Sequence, residues 1–213
     1  MRNPNDIALD EIVDAVRARA GTAPRVMIAL AGPPAAGKST LAEALAGRFA
    51  PGEAAVIPMD GFHNDDAILA ERGLASRKGA PETFDFRGFE VLLERLRARE
   101  ADVAIPVFDR AMELSRAAAR IVGASVRFVV VEGNYLLLDE APWRGLKALF
   151  DVTVFVDVPE AELERRLVER WRHHGREAEA ARRWIDENDM PNIRRVLACR
   201  LPADLLARPR TDT

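Results

Sequence analysis

Eight residues, Gly32, Pro33, Pro34, Ala35, Ala36, Gly37, Lys38 and Ser39, spell G-x-x-x-x-G-K-[ST] directly after an apolar run over residues 26–31. An apolar run of that length reads as a buried parallel strand, and Thr40 and the residues after it read as a helix. A strand, a glycine loop and a helix N-terminus together form an anion cradle. Backbone N–H groups converge there, and the helix dipole adds positive potential. Lys38 is placed to reach the terminal phosphates of a nucleoside triphosphate, and the Ser39 hydroxyl to contact Mg²⁺.

Acids at the ends of apolar strands are the next candidates, because a carboxylate there is costly unless it faces a cleft or a cation. Glu132 follows Val129, Val130 and Val131 and precedes Gly133, which suits an acid that meets Mg²⁺ directly or through water. Asp60 ends a second apolar run and is followed by Gly61, where the chain is expected to turn sharply. A carboxylate at that tip can orient an acceptor hydroxyl and take its proton, although a turn-forming role competes with this reading. His63 either bonds a substrate or solvates a loop. Asp157 is a third strand-end acid. Arg166 and Arg170, four apart on one helix face, could close over transferred phosphate, and Gly175 marks a hinge or helix end after them. Arg77 and Lys78 suit an anionic acceptor or simply a solvated loop. The adjacent His173 and His174 point apart on a helix and make a poor metal pair.

Those side chains need elements to hold them. Helical spacing is read over residues 6–20, with Ile7, Leu9, Ile12, Val13 and Val16 inward, and over 65–72, 89–99, 160–173 and 176–185. Strands are expected at 26–31, 54–59, 127–131 and 152–158, and a short extended run at 103–108. Residues 112–120 read as mostly helical by propensity, 146–150 as a short apolar stretch, and 196–206 as a loose closing segment. Alternating strands and helices predict an α/β fold of three layers, with a central parallel sheet flanked by helices. One domain over residues 1–213 is expected, with an N-terminal helix over 1–21 and an arginine-rich lid near 160–178.

The formal charge of -3 and the lack of a clustered basic, aromatic patch argue against a nucleic-acid partner. No apolar stretch is long enough to span a membrane, and residues 1–6 lack the apolar core of a signal peptide. Cys199 is the only cysteine, which excludes an internal disulfide and a cysteine-based zinc site. Cytoplasm is the expected compartment.

The motifs occur in an order that resembles the phosphoribulokinase, uridine kinase and bacterial pantothenate kinase family. They are the phosphate loop, Met59-Asp60-Gly61-Phe62-His63, Ile105 to Arg110, Val131-Glu132-Gly133-Asn134-Tyr135 and the arginine-rich helix. The stretch from Arg77 to Asp85 and the run Asn188-Asp189-Met190-Pro191-Asn192 are most similar to a bacterial subgroup described as nucleoside/nucleotide kinases or fructose transport system kinases. The resemblance implies ATP with Mg²⁺ and a small-molecule hydroxyl acceptor. It implies Asp60 as catalytic aspartate, Glu132 near the metal, and an acceptor pocket with His63, Phe108, Asp109, Arg110, Asn134 and Tyr135. It also implies an adenine contact at Asn192. Relatives usually carry tyrosine where this chain has Phe108, and Arg110 is not part of the nucleoside-binding pattern. The expected acceptor is a sugar or related polyol, ahead of a nucleoside or pantothenate. An ATP-binding regulatory module of a transport system is the reading from a different class. Family members are often homo-oligomers, but no sequence feature marks an interface.

Overall fold

The computed structural model describes residues 4–208, and for residues 4–8 the backbone alone; Ile7, expected on the inner face of the first helix, has its side chain outside the described residues. Five parallel strands make the central sheet in the order β2-β5-β1-β6-β7. These are β1 (Val26–Ala31), β2 (Ala54–Pro58), β5 (Phe128–Gly133), β6 (Val152–Val156) and β7 (Leu205–Ala207). β1 and β5 are buried along their whole length, as near-continuous apolar strands covered on both faces must be.

Alternate side chains of these strands feed two separate cores. Val26, Ile28 and Leu30 with Phe128 and Val130 pack against α1 (Pro4–Ala20) and α2 (Lys38–Ala46). Met27, Ala29 and Ala31 with Val129 and Val131 pack against α4 (Phe86–Arg97) and the 3₁₀ segment Trp143–Leu149. That period of two gives the three layers. A third apolar cluster joins Val156 and Val158 to α5 (Glu160–His173), the π-helical turn Ile185–Asp189 and α7 (Met190–Ala198). Two short helices complete the α set, α3 (Asp66–Glu71) and α6 (Ala178–Trp184). Among the described residues no helix is long and apolar enough to cross a membrane.

Three expectations change. Residues expected to be helical after position 112 form β4 (Leu114–Val122), which pairs antiparallel with β3 (Val103–Asp109) as a separate two-stranded sheet. Ladder pairing overrides the helix propensity of its alanines and arginines. The loose closing segment contains the last three residues of α7 and the first two of β7, which adds a parallel edge to β6. Residues 146–150 belong to the end of a 3₁₀ segment and the residue after it.

Register decides where the motifs meet. Leu30 and Pro58 both pair with Glu132, and Ala31 pairs with Gly133, so β1, β2 and β5 end at one level. A 3₁₀ turn, Met59–Phe62, then carries Asp60. Gly61 has no positive φ; a Cβ there would lie 2.6 Å from the Pro106 carbonyl oxygen on β3. Its glycine serves close packing of hairpin on turn, not the sharp bend expected. Gly133 is similarly confined, with a Cβ falling 2.6 Å from the Met59 Cβ.

Overpacking at such a contact costs about 1–3 kcal/mol, and each kcal/mol lowers the melting temperature by roughly 2–4 °C in a chain of this size. Gly61→Ala is therefore expected to melt several degrees early in differential scanning calorimetry. An unchanged melting temperature would show that β3 and the turn part freely.

Candidate active site

The loop from Gly32 to Ser39 leaves β1 under tight steric control. A Cβ at Gly32 would come within 3.0 Å of the Val156 carbonyl oxygen. Ala35 and Gly37 adopt left-handed conformations with φ of 62° and 88°, which turns the backbone into a concave nest. Gly37 is the N-cap of α2, with no side-chain cap and no acid in the first turn. The first N–H groups of that helix are thus left for an anion.

Lys38 is only 8% exposed. Its Nζ donates to the Pro33 carbonyl at 3.0 Å and to Asn134 Oδ1 at 2.7 Å. Burial pushes its pKa down, and Glu132 and Asp60 pull it back. Glu132, 7% exposed, accepts from the Ser39 hydroxyl at 3.0 Å through Oε1. Burial pushes the Glu132 carboxyl above its usual range, against the opposing charge of Lys38. A buried acid beside a buried lysine, with a serine hydroxyl between loop and acid, fits Mg²⁺ and a triphosphate. Among the described residues no cluster of three or more His, Cys, Asp or Glu side chains forms a metal site. Mg²⁺ bound through one carboxylate takes most of its ligands from phosphates and water.

One cavity of about 430 Å³ runs from this cradle to Asp60, His63, Phe84, Phe108 and Arg110 and on to Arg166, Arg170 and Asn192. Asp60 Oδ2 accepts from Arg110 Nη2 at 2.8 Å. The His63 ring packs at a tilt 4.1 Å from Phe84 and 5.0 Å from Phe108; its Nδ1 is buried without a hydrogen-bond partner among the described residues. Burial pushes the His63 pKa down, opposed by Asp60. Arg166 donates to Glu162 at 2.7 Å and reaches the Ala35 and Ala36 carbonyls at 3.4 and 3.5 Å, so it already touches the phosphate loop. Burial lowers the Arg170 pKa, as does the nearby Arg110; the Arg170 guanidinium bonds to no other described residue.

Lys78, read from the sequence as suiting an anionic acceptor or a solvated loop, lies on the wall and bridges Asp66 at 2.7 Å and Glu113 at 3.1 Å. Burial works against its charge, but hydrogen bonds to those two acids leave the pKa raised. Trp171 and Trp184, which escaped the sequence reading, also line the cavity, and the Arg176 guanidinium lies against both, 4.6 and 4.7 Å from the ring centroids. Trp171 Nε1 donates to Asp189 Oδ2 at 2.8 Å. Burial pushes the Asp189 carboxyl up, against that bond and Arg170. Only the tryptophans' helical positions on an arginine-rich segment could have drawn attention to them.

Other expected residues lie elsewhere. Tyr135 is fully buried in an aromatic cluster with Phe84 and Trp143, and its hydroxyl donates to the Gly79 carbonyl at 2.6 Å. It is off the cavity wall. Asp109 is off it too, because its carboxylate caps the N–H groups of Ala111 and Met112 and pairs with Arg116. Asp157 pairs with Arg208. Asn192 lines the cavity at 2% exposure; its Nδ2 donates to Asn188 Oδ1 at 3.4 Å, and Asn188 donates to the Lys78 carbonyl at 2.8 Å. Asn192 thus belongs to the wall that carries Lys78.

The model of the phosphoribulokinase / uridine kinase family matches residues 27–200. The chain belongs to that family. It is an ATP-dependent kinase that works with Mg²⁺ on a small-molecule acceptor. An uncharacterized protein, YggC, from Escherichia coli K12 is 37% identical over 188 residues, 85% of this chain and 77% of its own. The pantothenate kinase of Streptomyces coelicolor is 32% identical over 68% of this chain, which spans 47% of that longer protein. Among solved structures, a "putative fructose transport system kinase" from Silicibacter sp. TM1040 is 45% identical, with a TM-score of 0.88, and covers 93% of this chain and 98% of that one.

Within this kinase Tyr135 packs behind Gly79, off the cavity wall. Tyr135→Phe removes one buried hydrogen bond and is expected to cost about 0.5–1.5 kcal/mol of stability in urea denaturation. Michaelis constants for ATP and for the acceptor should remain as in the parent. A large rise in the acceptor constant alone would return Tyr135 to the binding wall.

Proposed function

We propose that this kinase transfers the γ-phosphoryl group of ATP to a hydroxyl of a sugar or related polyol, with Asp60 as the base. The observation that carries the reading is that Asp60 lines the same cavity as Lys38 and Glu132, and beyond it lie Phe84, Phe108 and His63. Aromatic walls with a few convergent polar groups suit a small hydroxylated ligand. The name of the Silicibacter structure supports fructose as the first acceptor to test.

Asp60 accepts the proton of the acceptor hydroxyl as its oxygen bonds to the γ-phosphorus, and the bond from that phosphorus to the β–γ bridging oxygen breaks to release ADP. The α2 N-terminus holds phosphate oxygens, and Lys38 places its charge beside them. Ser39 and Glu132 would hold Mg²⁺, which supplies charge neutralisation when bound. Arg166 and Arg170, on a lid spanning about residues 160–178, face charge that develops on the transferred group. The placement of Asn192 beside Asn188 and Lys78 supports an acceptor contact in preference to the adenine contact that the resemblance implies.

Lys38→Ala should lower turnover by at least about 100-fold. Asp60→Asn should leave ATP binding intact and reduce transfer by about 100-fold or more. The test is ADP formation against D-fructose, other sugars, nucleosides and pantothenate. Stimulation by a nucleoside alone would overturn the sugar reading, and ATP hydrolysis indifferent to every acceptor and to Asp60→Asn would overturn the kinase base.

The raised pKa of Glu132 gives a second test. Burial makes this carboxylate harder to charge than a free one, so Mg²⁺-dependent stabilisation by ADP should weaken as pH falls. Thermal-shift titrations with ADP, with and without Mg²⁺, should show this loss in the parent. Glu132→Gln should lack the Mg²⁺-dependent part at every pH.

A further inference from the structure

Asp60 cannot act as a base in an arbitrary orientation, and the structure shows what fixes it. We propose that Arg110 is a positioning residue for phosphoryl transfer: it holds one oxygen of Asp60 so that the other faces the acceptor hydroxyl. The proposal rests on reading Asp60 as the base.

Arg110 follows β3 at the start of the β3–β4 turn, and its Nη2 donates to Asp60 Oδ2 at 2.8 Å. Asp60 Oδ1 has no hydrogen-bond partner among the described residues, and Asp60 lies on the cavity wall. Two oxygens in one carboxylate are thereby given two tasks. The one engaged by a fork-shaped, permanently charged donor is fixed, and the other remains an acceptor.

The reach of Arg110 is itself constrained. Pro106 on β3 meets Gly61 at backbone distance, so the strand that leads to Arg110 sits directly on the turn that carries Asp60. The far side of the hairpin turn is tied down as well. Glu113 pairs with Lys78 at 3.1 Å, and the Ser115 hydroxyl donates to the His63 carbonyl at 3.3 Å. Arg110 is therefore delivered to Asp60 by a turn attached on both sides of the cavity. The Arg110 side chain is itself half exposed, so its hold on Asp60 comes from the placement of the turn and not from burial.

The experiment uses the full-length protein with MgATP and D-fructose, and in parallel MgATP alone, where water stands in for the acceptor. Arg110→Ala, Arg110→Lys, Asp60→Asn and the Asp60→Asn/Arg110→Ala double variant are compared after calorimetry confirms folding. Arg110→Ala should lower kcat by about 10- to 100-fold while the KM for ATP stays unchanged, and Arg110→Lys should recover part of the loss. In the Asp60→Asn background Arg110→Ala should have little further effect, because the group it positions is gone. An equal loss in both backgrounds overturns the proposal and leaves Asp60 as base. Near-parental activity of Asp60→Asn overturns the base reading and this inference with it. A rise in acceptor KM with kcat intact would mean that Arg110 binds the acceptor, which also overturns it. An acceptor-free readout completes the test: guanidinium NMR should show hindered Arg110 rotation in the parent and free rotation in Asp60→Asn. Identical spectra in the two proteins would overturn the ion pair.

Discussion

The site depends on one constraint, the parallel pairing of β5 between β1 and β2. β1 delivers the phosphate loop, β5 delivers Glu132, and β2 delivers the turn with Asp60. A slip of one residue in β5 would invert every side chain on that strand. Glu132 would leave Ser39, and the valines of β5 would trade cores. Close packing on both faces makes that slip prohibitive, since each core is fitted to the side chains it already holds. The geometry of the chemistry is thus a by-product of apolar strand packing.

Within that frame the charges are held under tension. Lys38, Glu132 and Arg170 all have pKa values displaced by burial toward their neutral forms. Each is partly offset by an opposite charge, and Lys38 is further fixed by the Pro33 carbonyl and Asn134. Groups desolvated in advance need little rearrangement when charge arrives, which is the physical content of preorganisation. Surface pairs such as Arg165 with Glu162 and Glu169 contribute far less, because solvent screens them.

The sequence made the phosphate loop, β1, β5, β6 and α5 legible because each has an unbroken pattern of period or composition. Asp60 and Glu132 could be read as strand-end acids, and the structure brings them to one cavity with Lys38. β4 was illegible because a run of alanines and arginines favours a helix unless a partner strand is present, and that partner is non-local. β7 has three residues and no pattern of its own. Tyr135 and Asp109 have the right chemistry in the right motifs, yet each spends its polar atoms on the chain's own backbone or, for Asp109, on Arg116 as well. Trp171 and Trp184 belong to the cavity only because α5 and α6 fold back across Gly175, a tertiary event that local sequence does not record.

The cluster of Trp171, Arg176 and Trp184 has an optical consequence. The chain has three tryptophans, and the third, Trp143, is buried against Tyr135 and Phe84. Two of the three indoles therefore sit on the cavity wall, against a guanidinium whose displacement would change their surroundings, while the remaining one is shielded. The intrinsic emission of this protein is therefore expected to divide into a core part and a cavity part, the second serving as a gauge of what enters the space between phosphate loop and lid.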